Sequence, residues 1–191
     1  MKACAALLVV LVAAACARRD ITTAPAVIGP PPTRAEIWAA IQEPAARYHF
    51  EPSFIYALVA AESNFDPRAV NGSARGLLQL KPRAWRTVSQ RPFAEAWDWR
   101  VNLAAGIDYL AWTRSTLHRH RAFSYPLLLA AFHHGLDYVE ERGFDARRAT
   151  VPDNAIYREL ARGNLAPVPP PLGNAVHRGC AHTWSSATVG R

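Results

Sequence analysis

The chain has 191 residues, half of them hydrophobic, which suffices for one globular core and is short for two domains. Twenty-two Lys and Arg against fifteen Asp and Glu give a formal charge of +7, which favours anionic partners. The basic residues are scattered rather than clustered, so the sequence does not predict a nucleic-acid-binding protein.

The first 15 residues are typical of an export signal. Lys2 precedes an apolar run from Ala5 to Val12, and small residues follow at Ala13–Ala15. The run is shorter than the roughly 20 residues that span a bilayer. We therefore expect a signal peptide over 1–15 and not a retained transmembrane helix.

Two forms of processing fit this segment. Val12-Ala13-Ala14-Ala15-Cys16 resembles a bacterial lipoprotein cleavage box, in which Cys16 becomes acylated. This interpretation predicts a lipid-anchored protein on the periplasmic side of the cell envelope, at the outer membrane. Ordinary cleavage after Ala15 would instead give a secreted or periplasmic protein with Cys16 as a free thiol. Without Cys4, only Cys16 and Cys180 remain, so no disulfide framework is expected.

Proline marks both ends of the expected domain. Residues 16–32 contain Pro25 and Pro30–Pro32 without helical or strand periodicity, which is typical of a tether. A single folded domain is assigned to 33–165. Residues 166–191 begin with another proline cluster and are weakly patterned, and we expect a disordered tail.

The first two helices are indicated by capping and proline signals. Thr33 followed by Glu36 matches a capping box at a helix start. Pro44 should kink or split this helix because it removes a backbone bond. Pro52 suits the first turn of the next helix, and Asp66-Pro67 should close it. A polar loop containing Asn71-Gly72 follows.

The later segments also have helical periodicity. Pro82 can start a helix that carries Trp85, and Asn102–Leu117 is periodic, with Gly106 allowing close approach of a neighbour. Tyr125–His134 is apolar on nearly every side and should end at Gly135. A short helix is expected at about Asn154–Arg162. Strand-like runs are scarce, so the predicted class is mainly α.

Glu62 is the residue of greatest chemical interest. On a helical wheel it lies within the apolar stripe formed by Ile55, Leu58, Val59 and Phe65. An unpaired carboxylate there costs several kcal/mol, so the group should be paired, protonated or lining a cleft. A buried ion pair with Arg would be structural, whereas a protonated acid in a cleft is what a glycosidase needs.

Four blocks of sequence, in this order and spacing, resemble the motifs of the soluble lytic transglycosylase-like (SLT) family. They are residues 61–67, 73–80, 102–110 and 130–135. The resemblance covers about 35–162 and implies a single lysozyme-like α domain that acts on peptidoglycan. It also implies that Glu62 is the catalytic acid and that Ser63, Gln79 and Tyr157 belong to the site.

The sequence departs from the family most clearly at Phe132-His133, where the family usually has Tyr-Asn. Phe132 keeps the aromatic ring without the hydroxyl, and His133 adds a group that can become charged near pH 6.5. Both are expected to contact substrate. Leu78 replaces the usual Met, which conserves volume, and Ser73 stands where Gly is common.

Hydrolysing glycosidases usually use two carboxylates, and the sequence offers no convincing second one. Asp66 and Asp98 are expected to be turn or cap residues. The resemblance implies a lytic transglycosylase that binds glycan strands, needs no metal or cofactor, and forms 1,6-anhydro ends on muramic acid. A hydrolytic muramidase and a non-catalytic wall-binding subunit of an envelope apparatus are the alternatives. The histidines lack the spacing of a structural metal site, and a monomer is expected.

Overall fold

The computed structural model describes residues 30–171, and the export signal, most of the tether and residues 172–191 lie outside this part. Cys16 and its predicted lipidation are therefore outside the described residues. Within 30–171 the fold is mainly α, as predicted. The helices are α1 (Arg34–Arg47), α2 (Pro52–Ser63), α3 (Pro82–Val88), α4 (Trp99–Arg119), α5 (Tyr125–His134), α6 (Leu136–Glu140) and α7 (Ala155–Ala161).

The capping box at the start of α1 is confirmed. The Glu36 backbone N–H donates to the Thr33 hydroxyl at 3.2 Å, and the Thr33 N–H donates to the Glu36 carboxylate at 2.8 Å. Of the two effects expected of Pro44, a split of the helix does not occur, because α1 continues through it to Arg47. Ile37 and Ile41 on the buried face of α1 keep the helix packed across the missing bond.

The N-terminus of α2 is also confirmed, with Pro52 in the first turn. Its end is three residues earlier than Asp66 because Asn64 adopts the left-handed conformation at φ 51° and stops the helix. Phe65, also at positive φ, then turns the chain away, so Glu62 lies in the last turn of α2.

The expected polar loop after α2 contains a small antiparallel hairpin of β1 (Val70–Asn71) and β2 (Ala74–Arg75). Gly72, at φ 58°, supplies the positive φ of its two-residue turn. Sequence periodicity did not predict these strands, since two residues are too few for an alternation to show.

Helices α4 and α5 form much of the core, and α4 packs against α1, α3 and α5. Gly106 allows the close approach that the sequence predicts, because a Cβ there would lie 2.3 Å from Leu78 Cδ1. Helix α5 ends at Gly135 with φ 102°, as expected for a glycine stop, and α6 begins immediately afterwards. No helix within 30–171 has the length and apolar character needed to cross a bilayer.

Candidate active site

Glu62 stands at the C-terminal end of the most apolar part of the chain. Phe54–Val59 in the same helix are buried, and the Glu62 side chain is only 7% exposed. The sequence therefore places a carboxyl group against the core at the point where α2 meets a cleft. A carboxyl group in this position needs hydrogen-bond partners, and the structure supplies two side chains.

Tyr157 is the first partner. Its hydroxyl donates to Glu62 Oε1, and the residue itself is buried. Asn154 caps α7 by accepting the Tyr157 backbone N–H at 2.8 Å, which fixes the start of the helix that carries this ring. Burial raises the pKa of the Tyr157 hydroxyl well above its usual value, and the adjacent Glu62 charge and hydrogen bond raise it further. The hydroxyl therefore stays a donor over the ordinary pH range.

His133 is the second partner. Its Nδ1 lies 3.3 Å from Glu62 Oε1, and its side chain is 34% exposed. The ring also stands edge-on to Tyr157, with centroids 5.8 Å apart. His133 and Tyr157 thus contact the same carboxyl oxygen of Glu62, although they lie 71 and 95 positions from it in the sequence.

A cavity of about 400 Å³ opens in front of these three side chains. A second cavity of about 330 Å³ shares Gln79, Lys81, Phe132 and His133 with the first, so the two form one continuous cleft. Among the described residues that line the first cavity, Glu62 is the one carboxylate. Asp137 lines the second, where it pairs with Arg83 at 2.5 Å.

Gln79 lines both cavities, and its predicted role in substrate binding stays a prediction. Its amide nitrogen donates to the carbonyls of Ala69 and Gly76, both at 2.9 Å. Both amide hydrogens are therefore used to hold the loop, and a sugar in the cleft would meet the amide oxygen, an acceptor. The positive φ of 43° at Gln79 is part of this tight turn.

Phe132 and Ser63, also predicted to bind substrate, lie in different surroundings. Phe132 lines both cavities and packs against Tyr109, with ring centroids 5.8 Å apart. Ser63 donates its hydroxyl to the Val59 carbonyl at 3.1 Å, a bond within α2. A role of Ser63 in substrate binding stays a prediction, and in this structure its hydroxyl serves the end of the helix that carries Glu62.

Two residues that sequence reasoning missed help to build the cleft. Lys81 lines both cavities, and its Nζ donates to the His133 carbonyl at 3.4 Å. Asn102 is fully buried and accepts the Leu78 N–H at 3.0 Å while donating to the carbonyls of Arg75 and Ala96. In the sequence, Lys81 is recognisable as a charged residue directly between Leu80 and Pro82. Asn102 is recognisable as a polar residue within the apolar periodicity of α4.

The two aspartates expected to be structural have that role. Asp66 Oδ1 accepts the Arg68 N–H at 2.8 Å in a turn, and Asp98 caps α4 by accepting the N–H groups of Arg100 and Val101. Within residues 30–171, no group of three or more His, Cys, Asp or Glu side chains is arranged to hold a metal ion. The site therefore consists of a carboxyl group, a phenol and an imidazole along an aromatic and amide-lined cleft.

A mainly helical domain with a buried carboxylic acid facing an extended cleft is the architecture of lysozyme-like glycan-cleaving proteins, as the sequence predicts. The family model for the transglycosylase SLT domain matches residues 39–149, more than half of the chain. The chain belongs to this family, and membership supports lytic transglycosylase activity at the family level. The matched segment contains Glu62, Gln79 and His133, and Tyr157 follows it.

Part of the chain is also similar to a solved lytic transglycosylase structure. A solved structure of an inactive mutant of lytic transglycosylase Slt from Pseudomonas aeruginosa matches at 23% identity and a TM-score of 0.49. The match covers 66% of this chain and 22% of that one, so this chain spans about a fifth of that protein's length. No curated protein matches the chain.

Proposed function

We propose that this protein is a peptidoglycan lytic transglycosylase. It would cleave the β-1,4 bond between N-acetylmuramic acid and N-acetylglucosamine and leave 1,6-anhydro-muramyl ends. The observation that carries this proposal is the environment of Glu62. It is a buried acid bonded to Tyr157, and it is the one carboxylate among the described residues lining its cavity.

Glu62 acts first as the acid in this scheme. In its protonated form the Glu62 carboxyl group donates its proton to the glycosidic oxygen. The C–O bond to the muramyl anomeric carbon then breaks, and the proton stays with the departing 4-hydroxyl. Tyr157 and His133 stabilise the carboxylate that this step leaves behind, because each can donate a hydrogen bond to Oε1.

The same carboxylate then acts as the base. The N-acetyl oxygen of the muramyl residue stabilises the cationic anomeric carbon in place of a second enzyme carboxylate. The muramyl 6-hydroxyl attacks that carbon, closes the 1,6-anhydro ring and gives its proton to Glu62. The acid is thereby regenerated without water, metal or cofactor, and no second carboxylate is required.

The cleft residues provide for binding a glycan strand. Phe132 offers a ring face at the junction of the two cavities, and the Gln79 amide oxygen offers an acceptor for a sugar hydroxyl or amide N–H. Lys81 in the same junction and the net positive charge favour an acidic polymer. We assign the predicted substrate contacts to Gln79, Phe132 and His133, with Ser63 acting through the end of α2.

Product analysis tests this function. Purified peptidoglycan is incubated with the full chain, with Glu62→Gln and with Glu43→Gln, and the muropeptides are identified by mass spectrometry. Glu43 is the control because its carboxylate is 72% exposed and pairs only with Arg47 on the surface of α1 among the described residues. We expect anhydro-muropeptides from the parent and from Glu43→Gln, and none above background from Glu62→Gln.

The alternatives give different products. Reducing-end muropeptides would show a hydrolytic muramidase, with a base supplied by another residue. Sedimentation of all three proteins with peptidoglycan without any cleavage would show a non-catalytic wall-binding subunit. Either result would contradict the proposal.

Location in the cell envelope is part of the proposal. It is supported by the export signal over 1–15 and by Cys16 at the predicted cleavage site, both outside the described residues. Mass spectrometry of the mature N-terminus should show a lipid-modified Cys16. A protein that begins at an unmodified Cys16 would be periplasmic or secreted instead. We expect it to act as a monomer, which light scattering would test.

A further inference from the structure

His133 places an imidazole, which can be protonated, beside the proposed catalytic acid Glu62. His133 brings a titratable ring to within 3.3 Å of Glu62 Oε1. An amide at this position can only donate or accept a hydrogen bond, whereas an imidazole can also take up the proton itself. Because the contact is to the oxygen that also accepts from Tyr157, His133 acts on the carboxyl group that would perform catalysis.

We propose that His133 and Glu62 share one acid proton, so that the pair and not Glu62 alone is the proton-holding unit of the site. This inference rests on the proposed function. In one arrangement Glu62 is protonated and His133 Nδ1 accepts its hydrogen bond. In the other the proton is on Nδ1 and Glu62 is a carboxylate. His133 is thus a positioning residue that acts through Glu62.

The surroundings of the ring favour this exchange. From α7, Tyr157 contacts the ring edge and donates to the same carboxyl oxygen, so it stabilises the arrangement with an ionised Glu62. From the loop before α3, Lys81 donates to the His133 backbone carbonyl at 3.4 Å, so a positive charge lies near the base of this side chain. From α5 itself, the neighbouring His134 ring lies 4.8 Å away.

His134 limits the charge that the site can hold. Burial lowers the pKa of His134, and a charged His133 lowers it further, so His134 tends to be neutral when His133 carries the proton. In the adjoining cavity, Arg83 and Asp137 pair with each other and leave little net charge facing the ring. The Glu62 carboxylate is thus the anionic group in direct contact with His133 among the described residues.

Sharing of one proton between Glu62 and His133 affects the pH dependence of kcat/KM. A site that can place one proton on either of two groups holds that proton at least as tightly as either group alone. The proton balance of the reaction is unchanged. The pair gives its proton to the leaving 4-hydroxyl oxygen and recovers one from the muramyl 6-hydroxyl. What changes is the pH at which the site loses its last proton, and this pH sets the alkaline limb of kcat/KM.

The test compares pH profiles of anhydro-product formation for the full chain, His133→Asn and His133→Gln. Each profile is normalised to its own plateau. We expect the midpoint of the alkaline limb to fall by about one pH unit in both variants, because groups coupled this closely titrate as a pair. A lower plateau rate with an unmoved midpoint would show that His133 only contacts substrate or supports the fold, and would overturn the inference.

A second measurement is independent of activity. The Nδ1 resonance of His133 is followed by ¹⁵N NMR at neutral pH, and it is assigned by its absence in His133→Asn. We expect it to move markedly in Glu62→Gln, since an amide cannot exchange a proton with the ring. An unmoved resonance would refute the pair even if the enzyme is a transglycosylase. A moved resonance in a chain that cleaves nothing would support the pair and reject the proposed function.

Discussion

Two buried polar side chains in this domain, Glu62 and Asn102, have opposite kinds of partners. Asn102 in α4 bonds only to backbone groups, those of Leu78, Arg75 and Ala96. Glu62 in α2 bonds to the side chains of Tyr157, which donates a hydrogen bond, and His133, which can exchange a proton. Asn102 is fully enclosed, whereas Glu62 faces a cavity of about 400 Å³.

The difference separates a structural role from a chemical one. The Asn102 amide joins the hairpin, the Gly76–Leu80 turn and the 3₁₀ helix over Phe93–Trp97, so its bonds fix the wall of the cleft. The Glu62 carboxyl contributes less to holding elements together, because its partners are ends of side chains. We therefore expect changes at Asn102 to affect stability first and changes at Glu62 to affect rate first.

The largest effect is expected for Glu62→Gln. Loss of a general acid that also serves as base should lower the rate of anhydro-product formation by about 10³-fold or more. The melting temperature should stay within a few degrees of the parent or rise, because a neutral amide replaces a buried acid of nearly the same shape. Turnover assays and thermal unfolding of one preparation measure both. A marked loss of stability would show that Glu62 is part of the structural framework.

Asn102→Ala should give the next largest effect, on stability. It leaves the buried Leu78 N–H and the carbonyls of Arg75 and Ala96 without this partner, which costs about 3 kcal/mol of unfolding free energy. Urea unfolding measures the change, and Gln90→Ala, at an exposed position, is the control. A loss below about 1 kcal/mol would show that the amide network is not what holds the cleft wall.

Tyr157→Phe should change the pH dependence of stability. The folded-state pKa of Tyr157 is raised, so above about pH 10 the unfolded chain loses this proton while the folded chain keeps it. Unfolding free energy therefore falls with rising pH, by up to about 1.4 kcal/mol per pH unit from this residue. The decline between pH 10 and 11.5 should be shallower in the variant. Parallel curves would contradict the assignment.

Thr33→Ala should have the smallest effect. It removes the hydroxyl half of the capping box of α1 and should cost about 1 kcal/mol of stability. Activity should stay near the parent value, because α1 does not line the cleft within the described residues. Thr33→Ser, which keeps the hydroxyl, should restore most of the loss. Chemical denaturation of the three proteins checks this.

Much of the fold could be predicted because its helices carry local signals. Thr33, Pro52 and Pro82 mark helix starts that the structure confirms. The hairpin over Val70–Arg75, the 3₁₀ helix and α6 lacked such signals, since they span five residues or fewer per element. Their conformation depends on tertiary contacts such as those of Asn102, which sequence periodicity does not contain.

The site was predictable only in part. The wheel position of Glu62 indicated a carboxyl group against the core, and the structure shows its side chain 7% exposed. The contacts of Glu62 with His133 and Tyr157 join residues far apart in sequence, so only the resemblance to the family indicated a shared site. Gln79 could be predicted as a cleft residue, but its donor bonds to Ala69 and Gly76 depend on the turn geometry.

The most direct test of the central claim is digestion of peptidoglycan by the full chain in water enriched in ¹⁸O. If Glu62 works without a second carboxylate and the 6-hydroxyl is the nucleophile, the new muramyl ends should be anhydro rings with no ¹⁸O, and Glu62→Gln should form none. New reducing ends that carry one ¹⁸O would show that water attacks the anomeric carbon and would contradict the account.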